Sequence, residues 1–210
     1  MVSKIGIRSA NQSDCSDLAI LGDMASRRFN SYLWDLVAMA GQSSFEIGRE
    51  IIRTDRESNS YFTNWQIAEL EERAIGALNA YAIPKNFRAN TVSEVSDRNQ
   101  KSLSELKEIA AGTLYIAVLA IYPEFRGRGV ATSLLESVEN GTWQDGNQAL
   151  SLMVGSFNDK AHRLYLNYGF NEQERRPFEP FHGSDLNGDW ILMGKDRNQT
   201  MAIATTTDIC

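Results

Sequence analysis

From Leu114 to Ile121 every residue is apolar, on both alternating faces: Leu114, Ile116, Val118 and Ala120 on one, Tyr115, Ala117, Leu119 and Ile121 on the other. That pattern predicts a central strand covered on both sides. After Pro123 comes Arg126-Gly127-Arg128-Gly129, and then Val130, Ala131, Leu134, Leu135 and Val138 fall at the spacing of an amphipathic helix. Leu150, Leu152 and Val154 alternate in a further strand. The stretch therefore reads as a strand–helix–strand unit, with parallel strands and a right-handed crossover.

Upstream, Ile5 and Ile7 alternate in a short first strand, and Ser9, Asn11 and Ser13 offer caps for a helix carrying Leu18, Leu21 and Ala25 on one face. Leu33, Leu36, Val37 and Ala40 predict a second helix ended by Gly41, and Phe45, Ile51 and Ile52 a short third one. Residues 65–70 and 74–81 flank Glu71-Glu72-Arg73 as a hairpin, which Pro84 closes. Residues 84–101 are polar and aperiodic and read as a loop, the first part of an insert over 84–112 in which Leu103, Leu106 and Ile109-Ala110 mark a short helix. Asn158 opens a helix with Ala161, Leu164, Tyr165 and Tyr168 on one side and Gly169 placed to end it. Residues 172–178 and 189–195 are two closing strands, and the turn between them includes Asn187-Gly188, a strong hairpin signal. Residues 197–210 lack periodicity and read as a loose tail after a single domain spanning 1–196.

A chain of 210 residues that is 42% hydrophobic suits one domain with a real core. Its formal charge of −6 argues against a nucleic-acid partner held through phosphate contacts. Cys15 and Cys210 lie too far apart in sequence to suggest a disulfide framework, so a reducing, cytoplasmic setting is the expectation. Together with His162 and His182 they show no metal-ligand spacing, and no metal is expected. The opening MVSKIGIRSA resembles neither a signal nor a transit peptide, and no apolar run approaches the roughly 20 residues of a membrane span.

The candidate chemistry sits in the glycine turn. A strand that feeds such a turn into a helix N-terminus leaves several N–H groups unpaired and pointing one way, and the helix dipole adds partial positive charge there. That is an anion cradle suited to a phosphate or pyrophosphate. A Walker loop is excluded, because no GxxxxGK followed by Ser or Thr occurs. A dinucleotide fingerprint is excluded too, because Gly127-Arg128-Gly129-Val130-Ala131-Thr132 lacks the third glycine. The pattern Arg/Gln-x-x-Gly-x-Gly/Ala is met by Arg126, Gly129 and Ala131. A second pattern follows in order: Leu152, Val154, Asn158, Ala161, Leu164, Tyr165, Gly169 and Phe170.

On these two patterns, densest over residues 113–170, the chain resembles the GNAT superfamily of acetyl-coenzyme A-dependent N-acetyltransferases. The resemblance implies an α/β (α+β) fold: a mixed, mostly antiparallel sheet of about seven strands with one parallel strand–helix–strand unit and helices on both faces. It implies acetyl-coenzyme A as cosubstrate, its pyrophosphate on the N–H groups of Arg126, Gly127, Arg128, Gly129, Val130, Ala131 and Thr132. The Arg126 and Arg128 side chains could add charge-assisted bonds. The pantetheine arm would run along the backbone of Leu119, Ala120 and Ile121, with an N–H near Ile121 holding the thioester carbonyl. Asn158 matches a coenzyme contact and is equally a helix N-cap. Tyr165 matches the general acid that protonates the departing thiolate, and is equally a core tyrosine beside Leu164.

An alkylammonium acceptor, with a pKa of about 10.4, must first lose a proton. Some relatives use a glutamate where this chain has Tyr115; Glu69, Glu71, Glu174, His182 or a water relay are the alternatives. Acceptor recognition would fall to residues 32–50 and 178–190, and 84–112 is another place for it. The expected activity is direct transfer of acetyl to an amine in a ternary complex; the acceptor and the quaternary state stay open, although the family often forms dimers and a homodimer is one option. The alternative is a non-catalytic acyl-coenzyme A binding or sensing module.

Overall fold

The computed structural model describes residues 5–89, 98–144 and 149–197. The chain divides into two compact units, Met1–Tyr81 with Ala117–Val138, and Ala82–Ile116 with Glu139–Cys210. Strands are hydrogen-bonded in the order β1-β2-β3-β4-β5-β7-β6, a mixed seven-stranded sheet. Their ranges are β1 Gly6–Ser9, β2 Trp65–Leu70, β3 Arg73–Ala82, β4 Leu114–Ile121, β5 Ala149–Gly155, β6 Asn171–Phe178 and β7 Gly188–Asp196.

In the first unit β1 pairs antiparallel with β2 and β2 with β3. The β2–β3 turn holds Glu71 at φ 51° and Glu72 at φ 63°. A two-residue hairpin turn of type I′ has positive φ at both centres, which matches strand twist, so these glutamates accept a conformation that Asn-Gly adopts with less strain. Helix α1, Cys15–Ala25, follows a capping box between Asn11 and Asp14. It buries Leu18, Ala19 and Leu21 against Trp65, Ile67 and Ala77. Helix α3, Ser44–Thr54, is longer than its apolar spacing suggests, because Ser43 and Glu46 form a reciprocal capping box at its start.

Helix α2 departs from the expected register. It covers Phe29–Asp35, ends well before Gly41, and buries only Phe29. Leu36 and Val37, predicted to face a core, are 58% and 63% exposed. Gly41, at φ +88°, instead sits inside a short turn closed by the Gln42 N–H donating to the Met39 carbonyl.

In the second unit β4 pairs parallel with β5 over Leu114–Ile116, β5 pairs antiparallel with β7, and β7 with β6. Leu150, Leu152 and Val154 are buried as their alternation predicts. The apolar run of β4 is less covered than expected: Ala117 is exposed, and Val118 and Leu119 are half-buried. Helix α4, Arg98–Ile109, begins inside the segment read as loop, whose residues 90–97 lie outside the described part, as do 198–210 of the expected tail. Asn187-Gly188 is not a tight turn. Phe178 pairs with Gly188, so the connection runs over 179–187 and Gly188 opens β7.

Helix α5 is Val130–Gln144 and α6 is Asp159–Asn167. The end of α6 explains the spacing of its motif. Gly169, at φ +96°, donates to the Leu166 carbonyl, and the Phe170 N–H donates to the Tyr165 carbonyl at 3.0 Å. This is a Schellman motif, which asks for a glycine in the left-handed region and an apolar contact between the residue after it and the one five before. Phe170 and Tyr165 make that contact edge to face, with ring centroids 5.9 Å apart.

Behind α6 lies a buried charge pair. Lys195 Nζ is 2.8 Å from Glu139 Oε1, and the Tyr168 hydroxyl donates to Glu139 Oε2 at 2.7 Å. The ammonium also stands 4.2 Å from the centroid of the Tyr168 ring. Lys195 and Glu139 are 6% and 7% exposed, so removing one partner strands the other charge away from water. Lys195→Ala should cost about 3–5 kcal/mol in urea denaturation. A loss below about 1 kcal/mol would mean that water reaches the pair.

Candidate anion-binding turn and active site

In the first unit the site starts from a close approach of two backbones. A Cβ added at Gly76 would meet the Ala120 carbonyl oxygen at 2.8 Å, so glycine lets β3 lie tight against the end of β4. The Tyr122 N–H donates across to the Ile75 carbonyl at 3.0 Å, and the Tyr122 hydroxyl donates to Asp17 of α1. Half-burial and that carboxylate push the phenol well above its ordinary range, which keeps it a donor.

Successive residues of a strand turn their N–H and C=O groups to opposite edges. Tyr122 faces β3, so Ile121 and Leu119 face the other edge, where parallel pairing has ended at Ile116. Arg126 holds the strand end there: its Nε donates to the Ile121 carbonyl at 3.1 Å, and Nη2 lies 3.6 Å from Met24 Sδ.

Pro123–Phe125 form a single 3₁₀ turn, closed by the Arg126 N–H donating to the Pro123 carbonyl at 3.3 Å. Both Arg126 groups are therefore engaged within the protein, and the cradle begins one residue later than the motif suggests. Gly127 and Gly129 stand at φ +74° and +79°, and apart from the adjoining residues no heavy atom lies within 4 Å of a Cβ built at either. Their glycine identity answers to backbone conformation and to open space on the outer side, not to packing. The first bond of α5 runs from the Ser133 N–H to the Gly129 carbonyl at 3.0 Å. The N–H groups of Val130, Ala131 and Thr132 thus have no partner inside the helix, and the dipole reinforces them. Val130 is buried beneath the turn and fixes the helix start. A pyrophosphate fits these residues: donors are present, and the space beside both glycines is open.

Arg128 is exposed, its guanidinium carbon 5.4 Å from the centroid of the Phe125 ring, and Arg73 stands 5.5 Å from the same centroid. Arg73 and Phe125 belong to this neighbourhood, yet nothing in periodicity or motif singles them out. Arg73 reads only as the end of a hairpin turn.

The second unit holds other residues singled out from the sequence. Tyr165 is buried, and burial alone pushes its phenol far above the ordinary value, so the hydroxyl stays protonated. Asn158 occupies the N-cap position of α6, but its side chain does not cap the helix. Tyr115 is buried with Lys107 Nζ 5.6 Å over its ring.

Of the carboxylates considered as a base, Glu69 accepts from Arg8 Nε at 2.7 Å, and Arg8 also grips Asp14 with two bonds. Glu174 lies 3.1 Å from Arg176, and it sits below the usual carboxylate range because it accepts the Arg175 N–H and faces Arg176. Glu71 sits in the hairpin turn, and His182 is exposed in the β6–β7 connection. Among the described residues no group of three or more His, Cys, Asp or Glu side chains is arranged to hold a metal, and no helix is long and apolar enough to cross a membrane.

The family model for the acetyltransferase (GNAT) family matches residues 29–170, and the chain belongs to that family. Among solved structures it is similar to an N-acetyltransferase from Staphylococcus aureus Mu50, at 20% identity over 90% of this chain and 100% of that one, with a TM-score of 0.63. It is also similar to the PaiA N-acetyltransferase from Thermoplasma acidophilum in complex with coenzyme A: 14% identity, 92% and 99% of the two chains, TM-score 0.55. A third is diaminobutyrate acetyltransferase EctA from Paenibacillus lautus, in complex with L-2,4-diaminobutyric acid and coenzyme A: 17% identity, 92% and 95%, TM-score 0.57. At these identities the likeness shows the shared fold. A comparison with curated proteins yields no match.

Gly129→Glu places bulk and negative charge in the open space beside the donors. Calorimetry should show coenzyme A affinity falling by at least about 100-fold, through blocked amides and anion repulsion together. Unchanged affinity would remove the turn from the site.

Proposed function

We propose that the chain transfers the acetyl group of acetyl-coenzyme A directly to an amine, without an acyl-enzyme. The observation that carries this reading is the row of backbone amides over 127–132 without a partner among the described residues, joined to a strand edge whose Leu119 and Ile121 amides face away from β3. Gly127 through Thr132 hold the pyrophosphate, and Arg128 adds a charge-assisted contact. Leu119, Ala120 and Ile121 align the pantetheine arm by backbone pairing, and the cosubstrate supplies an acetyl group activated as a thioester. The Ile121 N–H donates to the thioester carbonyl oxygen and steadies negative charge gathering there. Arg126, fixed on the Ile121 carbonyl, holds that peptide in orientation.

Tyr165 serves as proton donor to the leaving sulfur. Burial keeps its phenol protonated and also makes it a weaker acid than a free tyrosine, so it can donate only as negative charge builds on the sulfur. A thiol of pKa about 8.5 leaves without strong assistance, so the contribution is modest. Direct transfer is supported by Cys15, buried in the core of the first unit with its thiol pushed up first by burial, which makes a poor nucleophile. A protein that only binds the coenzyme is the second reading. It is favoured by the arginine pairing of Glu69 and Glu174, which engages two of the candidate bases.

Thiol release across a broad amine panel separates the two. Tyr165→Phe should lower kcat about tenfold and leave coenzyme affinity within about twofold. Equal losses in both would make Tyr165 a packing residue. With those carboxylates engaged, proton loss from the acceptor proceeds through water. Log kcat/KM should then rise with unit slope as pH approaches the acceptor's own pKa, about 10.4 for an alkylamine. A plateau near pH 7 would instead require a tuned side-chain base.

A further inference from the structure

Within the second unit, helix α4 packs on β6 and buries two residues, Asn99 and Leu106. A buried amide in the first turn of a polar helix calls for a reason. The Asn99 side chain does for the chain what a neighbouring strand would do. Its Nδ2 donates to the Glu179 carbonyl at 2.6 Å, and its Oδ1 accepts the Glu179 N–H at 2.9 Å. The same Oδ1 accepts the indole N–H of Trp190 at 3.1 Å. Glu179 directly follows β6 and Trp190 lies near the start of β7, so one side chain holds both ends of the β6–β7 connection.

Trp190 belongs to a buried aromatic cluster. Its ring centroid lies 5.3 Å from that of Phe178 and 6.2 Å from that of Phe157, and Phe157 and Phe178 meet edge to face at 4.9 Å. Phe157 stands in the turn from β5 into α6. A Cβ added at Gly155 would fall 2.2 Å from the tip of the Phe157 ring, so that ring lies directly against the last residue of β5. Ser156 ties the same turn to β7: its N–H donates to the Asp189 carbonyl at 2.8 Å, and its hydroxyl accepts the Asp189 N–H at 2.9 Å. Helix α6 buries only Tyr165 of its nine residues, so its direction is set chiefly at its ends. The Schellman turn holds the far end and the Ser156–Phe157 turn the near one, with one lateral contact from His162 to Glu172 at 2.7 Å.

We propose that Asn99 is a positioning residue for acetyl transfer: by holding Trp190 and the end of β6 it fixes Phe157, and through Phe157 the helix that presents Tyr165. Its catalytic consequence rests on the reading of Tyr165 as the proton donor. A displacement of about 1 Å at a reacting group costs on the order of 100-fold where geometry is exacting, so a donor of modest worth is lost through a small tilt of α6.

Tyrosine-ring NMR and steady-state kinetics on the wild type, Asn99→Ala, Phe157→Leu, Tyr165→Phe and the Asn99→Ala/Tyr165→Phe double variant test this. The Tyr165 ring signal, assigned by its loss in Tyr165→Phe, should shift in Asn99→Ala and in Phe157→Leu. With acetyl-coenzyme A and the fastest amine of the panel, Asn99→Ala should lower kcat about fivefold while coenzyme A affinity stays within about twofold. In the Tyr165→Phe background the same change should cost less than about twofold, because the group it acts through is already gone. A full fivefold loss there overturns the route through Tyr165 and leaves the donor reading standing, as does a Tyr165 signal that stays in place in both single variants. Phe157→Leu, which keeps the apolar burial, supplies the same ring and kcat readouts where Asn99→Ala does not fold. A wild type that acetylates no amine, or a Tyr165→Phe variant as active as the wild type, overturns the donor reading and the catalytic role of Asn99 with it.

Discussion

A helix that starts directly after a strand has amides in its first turn with no internal acceptor. Here the left-handed glycines at 127 and 129 decide which way those amides look. At φ +74° and +79° the chain reverses from the end of β4 into α5 with no side chain on the outer surface, so a run of donors and a helix dipole share one small open region. A β-carbon at either place would force another backbone path and intrude on the open space beside these donors. The neighbouring features serve this arrangement: Gly76 brings β3 against the strand end, the Tyr122–Asp17 bond ties the turn to α1, and Arg126 secures the Ile121 carbonyl.

Much of this was legible because the controlling signals are local. The β4–turn–α5 sequence, the alternation in β5 and the Tyr165–Gly169–Phe170 spacing all follow from hydrogen-bond geometry within a few residues. The Schellman motif gives that last spacing a physical cause: Gly169 must be left-handed, and Phe170 must reach back onto Tyr165. Helix α2 failed the same reasoning because periodicity says which residues could share a face, not whether anything lies opposite. Leu36 and Val37 of the expected stripe lie past the end of α2 and meet solvent, while Phe29 is buried and Trp34 packs against the core of the first unit. Asn187-Gly188 misled in a similar way, since the register of β6 on β7 puts Gly188 inside the strand.

Roles of side chains were harder to read than roles of backbone. Arg126 fits the family pattern, yet its N–H and Nε both serve the protein's own carbonyls, so its part is to shape the site. Glu69 reads as a free carboxylate until Arg8, sixty-one positions away, is seen to hold it. Arg73 is the converse case. It carries no motif and gains meaning only from lying over Phe125, a contact set by the pairing of β3 that no local pattern encodes. Such long-range pairings are where sequence reading ends. Charged groups have several partners within reach, and tertiary structure selects among them.

The central claim is that the main-chain amides of 127–132 hold the coenzyme's diphosphate. Residue-resolved amide hydrogen exchange, with and without saturating coenzyme A, tests it most directly. The amides of Gly127 through Thr132 should exchange markedly more slowly in the complex, as donors do when they gain a buried acceptor. If coenzyme A binds and protects other amides while these six exchange at the free rate, the diphosphate lies elsewhere and the account is wrong.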